Sequence, residues 1–320
     1  MNPILEQISN IGLVPVIKID DASKAVPLVR VLKNGGIPVA EVTFRTACAA
    51  EAIKNIAEAE PDVLVGAGTV ITVDQAKAAV EAGAKYIISP GFDAEIVKWC
   101  VDNNVPITPG CSDASDVSVA AKMGLEVVKF FPAEAAGGLK VLKALAGPFP
   151  NMKFIPTGGI GPDNLGSYLD FKKVIACGGS WMVPGDMMDN DDWDGITALA
   201  KEAVMKMLDI KLHHIGINSA DEDEAVCTTE RFAALTGGAV KDGNKSLFAG
   251  TAFEVMKFMG MGKCGHIALS VTDVDRAVTF FKSQGFEFDD ASATYSDDGK
   301  RKFIYFKEEV GGFAIHLVKA

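Results

Sequence analysis

The chain has 320 residues, of which 48% are hydrophobic and 23% charged, and its formal net charge at pH 7 is -11. This length and apolar content allow a large core and more than one domain. The negative charge argues against nucleic acid or an anionic membrane as the main partner, because both would repel the chain.

Short apolar runs alternate with helical segments over residues 1–208. This alternation predicts an α/β fold, a (β/α)8 TIM barrel, and leaves a doubly wound open sheet as the alternative. Glycine- and proline-rich turns such as 66–69 and 109–110 favour the barrel, because barrels build active sites from the loops after their strands. The predicted strands are Leu13–Ile17, Val39–Phe44, Val63–Val65, Tyr86–Ser89, Pro106–Thr108, Val127–Phe131, Phe154–Thr157 and Val174–Ala176; the predicted helices include Thr46–Ala59, Val73–Ala82, Ala94–Asp102, Glu134–Ala144 and Trp193–Leu208.

A second, smaller α+β domain is predicted over residues 209–320, and it contains an internal repeat. The segment His214–Asp223 aligns without gaps on His266–Asp275. Each copy continues through a helix to a glycine-bearing turn and ends in a strand, Ala252–Lys257 or Ala314–Lys319. The repeat predicts two copies of one supersecondary unit packed together.

Cysteine usage and the N-terminus predict a soluble cytoplasmic protein. The six cysteines stand singly, without a CxxC motif, as is typical of a reducing compartment. The N-terminus lacks the basic and apolar regions of a signal peptide, and no apolar run is long enough to span a bilayer.

Lys129 is a lone cation in the apolar stretch 127–132. Burial disfavours a charged amine and favours the neutral form, which is a nucleophile toward carbonyl groups. The alternative is a lysine at a strand end that extends its ammonium group to the surface.

Strand two places Glu41, Thr43 and Arg45 on one face by alternation. The functional interpretation is a general acid/base, Glu41, beside Arg45 as an anchor for a carboxylate or phosphate. The structural alternative is a buried Glu41–Arg45 pair that stabilises the barrel.

Glycine-rich segments predict a phosphate site. Segments 157–161 and 177–181 follow strands seven and eight, the pair of loops with which barrels frequently bind phosphate. A further segment, 66–70, offers backbone donors and a hydroxyl. All four histidines lie beyond residue 212, so a histidine-ligated metal site is not expected in the first unit.

The first unit resembles the 2-keto-3-deoxy-6-phosphogluconate (KDPG) / 4-hydroxy-2-oxoglutarate (KHG) aldolase family, which consists of class I, Schiff-base-forming TIM-barrel enzymes. The resemblance covers nearly all of residues 1–205. It is carried, in order, by Glu-Val-Thr-Phe-Arg-Thr (41–46), Gly-Ala-Gly-Thr-Val (66–70), Ser-Pro-Gly-Phe (89–92), Lys-Phe-Phe-Pro-Ala-Glu (129–134), Thr-Gly-Gly-Ile (157–160) and Gly-Gly-Ser-Trp (178–181).

The resemblance implies a lyase that splits KDPG into pyruvate and glyceraldehyde 3-phosphate, and also KHG into pyruvate and glyoxylate. Lys129 would form the iminium and Glu41 would carry protons, so no cofactor is needed. The implied partner molecules are a phosphorylated keto-acid substrate and the other two subunits of a homotrimer. The implied substrate-binding residues are Arg45 and Thr69 for the carboxylate, Gly158, Gly159, Gly179 and Ser180 for the phosphate, and Pro90 and Phe131 as pocket walls.

Two other activities remain open for the barrel. Nothing in the sequence fixes the configuration at C4 of the substrate, so the galactonate epimer is an alternative. A phosphate-binding barrel isomerase or decarboxylase, with a lysine that stays non-covalent, is another.

The second unit is similar to the glyoxalase / vicinal-oxygen-chelate superfamily, whose paired βαβββ modules surround a divalent metal ion. The ligand positions of that superfamily correspond to His214, Glu254, His266 and His316. Imidazole and carboxylate ligands suit zinc, iron, manganese or nickel. The alternatives are a binding or oligomerisation module without metal and, with metal, a lyase or dioxygenase.

Overall fold

The computed structural model describes residues 1–320, and the chain divides into two compact units, Met1–Met207 and Leu208–Ala320. The division falls one residue before the boundary expected from the sequence. None of the helices combines the length and apolar character needed to cross a membrane.

The first unit is a TIM barrel, as predicted. Its parallel strands follow the order β7-β6-β5-β4-β3-β2-β1-β8, and isolated parallel bridges Phe154–Val174 and Thr157–Gly178 join β7 to β8. This closure excludes the open doubly wound sheet. The strands are β1 (Leu13–Ile17), β2 (Val39–Thr43), β3 (Leu64–Gly68), β4 (Ile87–Ser89), β5 (Ile107–Cys111), β6 (Val127–Phe130), β7 (Lys153–Pro156) and β8 (Cys177–Gly179).

Amphipathic helices cover the outside of the barrel, and side-chain caps mark the starts of several of them. Thr72, Asp93 and Asp113 each accept a hydrogen bond from a backbone N–H in the first turn of the helix that follows. The helices are α1 (Pro3–Ile11), α2 (Ala25–Asn34), α3 (Ala49–Ala59), α4 (Val73–Glu81), α5 (Ala94–Asp102), α6 (Ala114–Lys122), α7 (Gly138–Ala146), α8 (Leu165–Leu169), α9 (Gly185–Asp189) and α10 (Trp193–Leu208).

Several predicted elements of the barrel begin later in the chain than expected, among them the helix predicted from Thr46, which begins at Ala49. The eighth strand was expected at 174–176, but its pairing with β1 begins at Cys177, whose N–H donates to the Gly12 carbonyl at 3.0 Å. The helix expected from Glu134 begins at Gly138. Gly137 and Gly138 have φ values of 104° and 64°, and these left-handed conformations interrupt a helix that starts at Glu134.

The glycines of segment 66–68 lie inside β3 and not in a turn after it. Their backbone groups are used by the sheet: Gly68 accepts from the Phe44 N–H at 2.7 Å and Ala67 donates to the Tyr86 carbonyl at 3.0 Å. The interpretation of this segment as a loop that offers free backbone donors is therefore wrong. Gly110 also lies within a strand, where a Cβ would come 2.1 Å from the Pro90 carbonyl oxygen.

The second unit is one eight-stranded sheet built from two βαβββ modules, as the repeat predicted. In order β10-β11-β12-β9-β13-β16-β15-β14, the modules meet at the antiparallel pair β9–β13. The sequence repeat aligns His214 with His266 and Gly216 with Ala268. It therefore converts the β-sheet pair Gly216–His266 into the pair Ala268–His214, as expected if a local two-fold axis relates the two modules. The elements are β9 (Lys211–Ile217), α11 (Glu222–Thr236), β10 (Val240–Asp242), β11 (Ser246–Ala249), β12 (Phe253–Met256), β13 (Gly265–Val271), α12 (Val274–Ser283), β14 (Phe288–Tyr295), β15 (Arg301–Val310) and β16 (Phe313–Lys319).

Candidate functional site

Lys129 and Glu41 meet inside the barrel. The Lys129 Nζ lies 3.2 Å from the Glu41 Oε1, and the two side chains are only 7% and 1% exposed. Their strands, β6 and β2, are four positions apart in the ring of eight, so the contact spans the barrel interior. Lys129 therefore does not extend to the surface, and Glu41 does not pair with Arg45.

The position of Glu41 depends on a glycine in the neighbouring strand β3. Gly68 pairs with Thr43 in the sheet, and a Cβ at Gly68 would come 2.2 Å from the Glu41 Oε1. Gly66, two residues earlier, makes room for the ring of Tyr86 in the same way. Glycine at these two positions lets large side chains occupy the barrel interior.

Tyr86 is fully buried, and its hydroxyl donates to the Ala40 carbonyl at 3.0 Å. Burial, with a smaller contribution from the Glu41 charge, raises the pKa of Tyr86 well above its usual value. The phenol therefore stays protonated and serves as a fixed hydrogen-bond donor to the backbone.

Four predicted binding residues lie just beyond the carboxyl ends of β2, β3, β4 and β6. The exposed Arg45 donates from Nε to the Thr69 hydroxyl at 3.2 Å, and Thr69 itself has a φ of 56°. Pro90 follows β4 directly, and the ring centroid of Phe131 lies 5.3 Å from the Lys129 Nζ. An anion held by Arg45 would therefore lie at the same end of the barrel as the amine.

The predicted phosphate-binding residues lie at the ends of β7 and β8. Gly158 and Gly159 have φ values of 97° and 78°, which glycine adopts without strain. Gly179 ends β8 and Ser180 follows, exposed. A Cβ at Gly179 would overlap the Trp181 ring, so this glycine is needed for packing as well. All ten barrel residues singled out from the sequence thus lie in or just after the barrel strands, toward their carboxyl ends.

Sequence reasoning missed two buried hydroxyl groups. The Oγ1 atoms of Thr108 and Thr157 have no hydrogen-bond partner in the protein. Gly110 and Ile155 are the sheet neighbours of Lys129, and the threonines lie two residues from them, on the same face as the amine. The alternation of side chains along β5 and β7 could have identified these two threonines as residues that face the barrel interior. Both hydroxyls are therefore unsatisfied polar groups on the inner face of the barrel.

Known proteins match this barrel in sequence and in fold. The family model for KDPG and KHG aldolase matches residues 4–199. The chain belongs to the KDPG and KHG aldolase family. The family match ends before the second unit begins.

The aldolase barrel has curated relatives and solved structural neighbours. The KHG/KDPG aldolase of Escherichia coli is 47% identical over 192 residues, 60% of this chain and 90% of that protein. The 2-dehydro-3-deoxy-phosphogluconate aldolase of Haemophilus influenzae is 43% identical over 63% of this chain and 95% of its own length. The KDPG aldolase of Legionella pneumophila, solved with pyruvate captured as a covalent carbinolamine, is 40% identical, with a TM-score of 0.61 over 63% of this chain and 98% of that one.

A second cluster of chemically capable side chains lies in the other unit. His214 Nε2, His266 Nε2 and Glu254 Oε2 form a triangle in which all three distances are 3.1 Å. The remaining Glu254 oxygen accepts from the Ser246 hydroxyl at 2.6 Å. The three histidines offer ring nitrogens within 4.8 Å of one another, so His316 completes the set.

Glu254 and His316 are electrostatically distinct members of this cluster. Burial alone would raise the pKa of Glu254, but hydrogen bonds from His214, His266 and Ser246 outweigh it and hold the pKa well below its usual value. Burial, followed by the charges of His266 and His214, lowers the pKa of His316 to about 3. The cluster therefore combines an anionic oxygen with a neutral imidazole.

Gly216 makes room for one of these imidazoles. It lies opposite His266 in the β9–β13 pair, and a Cβ there would come 2.0 Å from the His266 ring. The symmetric position in the second module is Ala268, opposite His214. The sequence repeat places the histidines in register but does not reveal this requirement for glycine.

The four residues fit a divalent metal ion. Metal–nitrogen and metal–oxygen bonds of about 2.0–2.2 Å bring neighbouring ligand atoms to about 3 Å from one another, close to the separations in this triangle. The Nδ1 atom of His316 is buried and has no hydrogen-bond partner. Imidazole nitrogens and a carboxylate oxygen that converge in this way are the ligands that transition metals prefer.

We expect Gly68→Ala to reduce aldolase turnover by about 10- to 100-fold, because the added methyl group displaces the Glu41 carboxylate from Lys129. Gly66→Ala is the matched control: it adds the same methyl group to the same strand, but against Tyr86. Both variants should unfold at a lower temperature, whereas kcat should fall much further in Gly68→Ala. Equal kcat values in the two folded variants would contradict the assigned position of Glu41.

Proposed function

We propose that the barrel is a class I aldolase that cleaves KDPG to pyruvate and glyceraldehyde 3-phosphate, and KHG to pyruvate and glyoxylate. The observation that carries the proposal is the buried contact between the Lys129 Nζ and the Glu41 Oε1. It supplies a nucleophilic amine and a proton carrier in one water-poor interior. The covalent pyruvate adduct of the Legionella pneumophila relative supports the same chemistry.

In the proposed reaction, Lys129 passes a proton to Glu41 and its neutral amine attacks the C2 carbonyl of the substrate. Proton return from Glu41 to the C2 hydroxyl releases water and leaves an iminium ion. Glu41 then removes the proton of the C4 hydroxyl and the C3–C4 bond breaks. Its electron pair forms the C2–C3 double bond of an enamine, while the C2–N π electrons move to the iminium nitrogen. The aldehyde leaves, Glu41 returns its proton to C3 of the enamine, and water hydrolyses the resulting iminium to release pyruvate.

The substrate would be held at its two anionic ends. Arg45, oriented by its hydrogen bond to Thr69, is the proposed anchor of the pyruvyl carboxylate. The backbone at Gly158, Gly159 and Gly179 and the Ser180 hydroxyl are the proposed phosphate cradle. Pro90 and Phe131 would form the walls between them, with Phe131 close to the reacting amine.

The C4 epimer of KDPG remains the alternative substrate, and a barrel isomerase or decarboxylase with a non-covalent lysine remains the alternative activity. The homotrimer implied by the family resemblance also remains a prediction. Covalent trapping separates the aldolase from the isomerase or decarboxylase, because only the aldolase forms an iminium.

Treatment with pyruvate and borohydride should add one reduced pyruvyl group to the protein, on Lys129. Reduction of the iminium makes the carbon–nitrogen bond permanent, so peptide mass spectrometry can locate it. Lys129→Arg should abolish both the adduct and the cleavage of KDPG, whereas Lys153→Arg, at the start of β7, should retain both. An adduct on another lysine, or activity that survives Lys129→Arg, would overturn the proposed mechanism.

We further propose that His214, Glu254, His266 and His316 bind one divalent metal ion. The triangle of 3.1 Å distances and the buried, unpartnered His316 nitrogen support this proposal. A metal bound there would act as a Lewis acid toward an oxygen atom of a ligand. Ser246 would hold the Glu254 carboxylate in position through its hydrogen bond. The alternative is a binding module in which the same side chains form a hydrogen-bonded network.

Full-length protein equilibrated with Mn²⁺ or Zn²⁺ and then desalted should retain stoichiometric metal by elemental mass spectrometry. His266→Ala should lose it, and Gly216→Ala should lose most of it, because the added Cβ displaces the His266 ring. Exposed Lys241→Ala and symmetric Ala268→Gly are the controls that should retain metal. Wild-type protein that retains no metal, or metal binding that is unchanged in His266→Ala, would contradict the proposed metal site and favour the metal-free binding module.

A further inference from the structure

A pocket of about 680 Å³ opens beside the histidine cluster of the second unit. Its volume is in the range that accommodates an organic molecule of more than a few atoms. His214, Glu254, His266 and His316 form its polar part. The chemistry of the other lining residues indicates which class of ligand the pocket suits.

The remaining lining residues are mostly apolar and come from two segments. Phe303 and Tyr305 lie at alternate positions of β15, and their rings contact the His316 imidazole with centroid distances of 4.5 and 5.0 Å. The segment Met256–Met261 contributes three methionines and Phe258. A ligand in this pocket therefore contacts aromatic rings and flexible thioethers, which adapt to apolar surfaces of irregular shape.

Part of this apolar lining is open to solvent. Met259 is 63% exposed and Met261 is 50% exposed, although both line the pocket. An apolar ligand would cover these side chains and remove apolar surface from water, which favours binding. A phosphorylated polyhydroxy acid, such as the proposed substrate of the barrel, has little apolar surface of its own to bury against the same residues.

Lys245 is the one lysine or arginine that lines the pocket. It is exposed and forms no ion pair, whereas Lys257, at the end of the same hairpin, is paired with Glu222 and Asp242. In a chain with a net charge of -11, an unpaired lysine at a pocket attracts an anionic group. Lys245 thus favours a ligand that carries a negative charge in addition to an apolar body.

We propose that this pocket binds an organic carboxylate with an apolar body. The carboxylate pairs with Lys245, and the apolar body lies against Phe303, Tyr305 and the segment Met256–Met261. The inference deepens the proposed metal centre and rests on it for the location of the site, since the four proposed ligands line the same pocket. It gives the second unit a ligand class different from the phosphorylated keto acid of the barrel.

The test uses 3-phenylpropionate as the probe and full-length protein loaded with Co²⁺. Calorimetry measures the affinity, and the visible absorption of Co²⁺ reports whether the probe lies at the metal site. The neutral isostere 3-phenyl-1-propanol tests the requirement for charge, and acetate tests the requirement for an apolar body. None of the three carries a keto group, so none can form an iminium with Lys129.

We expect 3-phenylpropionate to bind and to change the Co²⁺ spectrum, with affinity about tenfold higher than that of the alcohol, the difference expected for one charge-assisted contact. Lys245→Gln should remove most of that advantage, and the control Lys241→Gln should not. Met259→Gln should weaken the binding of the probe, whereas Leu235→Gln, an 82% exposed leucine outside the pocket, should leave it unchanged.

The outcomes separate this inference from the metal centre. Bound Co²⁺ with no response to 3-phenylpropionate, or equal affinity for the acid and the alcohol, overturns the inference and leaves the metal centre standing. Protein that binds no metal, yet binds the probe through Lys245, overturns the metal centre and supports the ligand class. Equal binding of acetate overturns the requirement for an apolar body.

Discussion

A lysine and a glutamate face each other across the interior of a closed barrel, and the rest of the first unit is arranged around that contact. Charged groups lose hydration when they are buried, so each needs the other: removal of one partner from such a pair typically costs about 3–5 kcal/mol. The barrel provides the arrangement by placing β6 opposite β2. Glycine in β3 leaves the space that the Glu41 carboxylate occupies.

The same burial that makes the pair costly makes it chemically useful. The Lys129 side chain is buried, and in the proposed mechanism the carboxylate 3.2 Å away would accept or return a proton without the rearrangement of solvent. Unpartnered hydroxyls of Thr108 and Thr157 lie on the same inner face. The residues proposed to bind anions lie at the carboxyl ends of the strands, so a substrate held there would extend toward the amine.

The sequence was sufficient to predict the barrel, the strands that carry the site residues, and Lys129 as the reactive amine. βα alternation and ordered motifs are local patterns, so they can be recognised without the structure. Residue patterns alone did not place Glu41 beside Lys129, because the two lie 88 residues apart and closure of the barrel brings them together; only the family resemblance assigned both to one reaction. Glycines caused the main errors. Segment 66–68 was interpreted as a loop, and β8 was expected three residues early, because glycine inside a strand is disfavoured unless a neighbour needs the space.

In the second unit the repeat predicted which histidines correspond, and alternation placed them on strands. The convergence of His214, Glu254 and His266 depends on the antiparallel register of β9 and β13 and on the absence of a side chain at Gly216. Neither is a property of a single segment. The two units thus hold two different side-chain clusters, a buried lysine–glutamate pair in the first and a histidine cluster beside a largely apolar pocket in the second.

The most direct test of the central claim is a crystal structure of the protein soaked with pyruvate. We expect continuous electron density between the Lys129 Nζ and C2 of pyruvate, with the Glu41 carboxylate within hydrogen-bond distance of the adduct and the pyruvyl carboxylate at Arg45. Pyruvate bound without a covalent bond, or joined to a different lysine, would contradict the account.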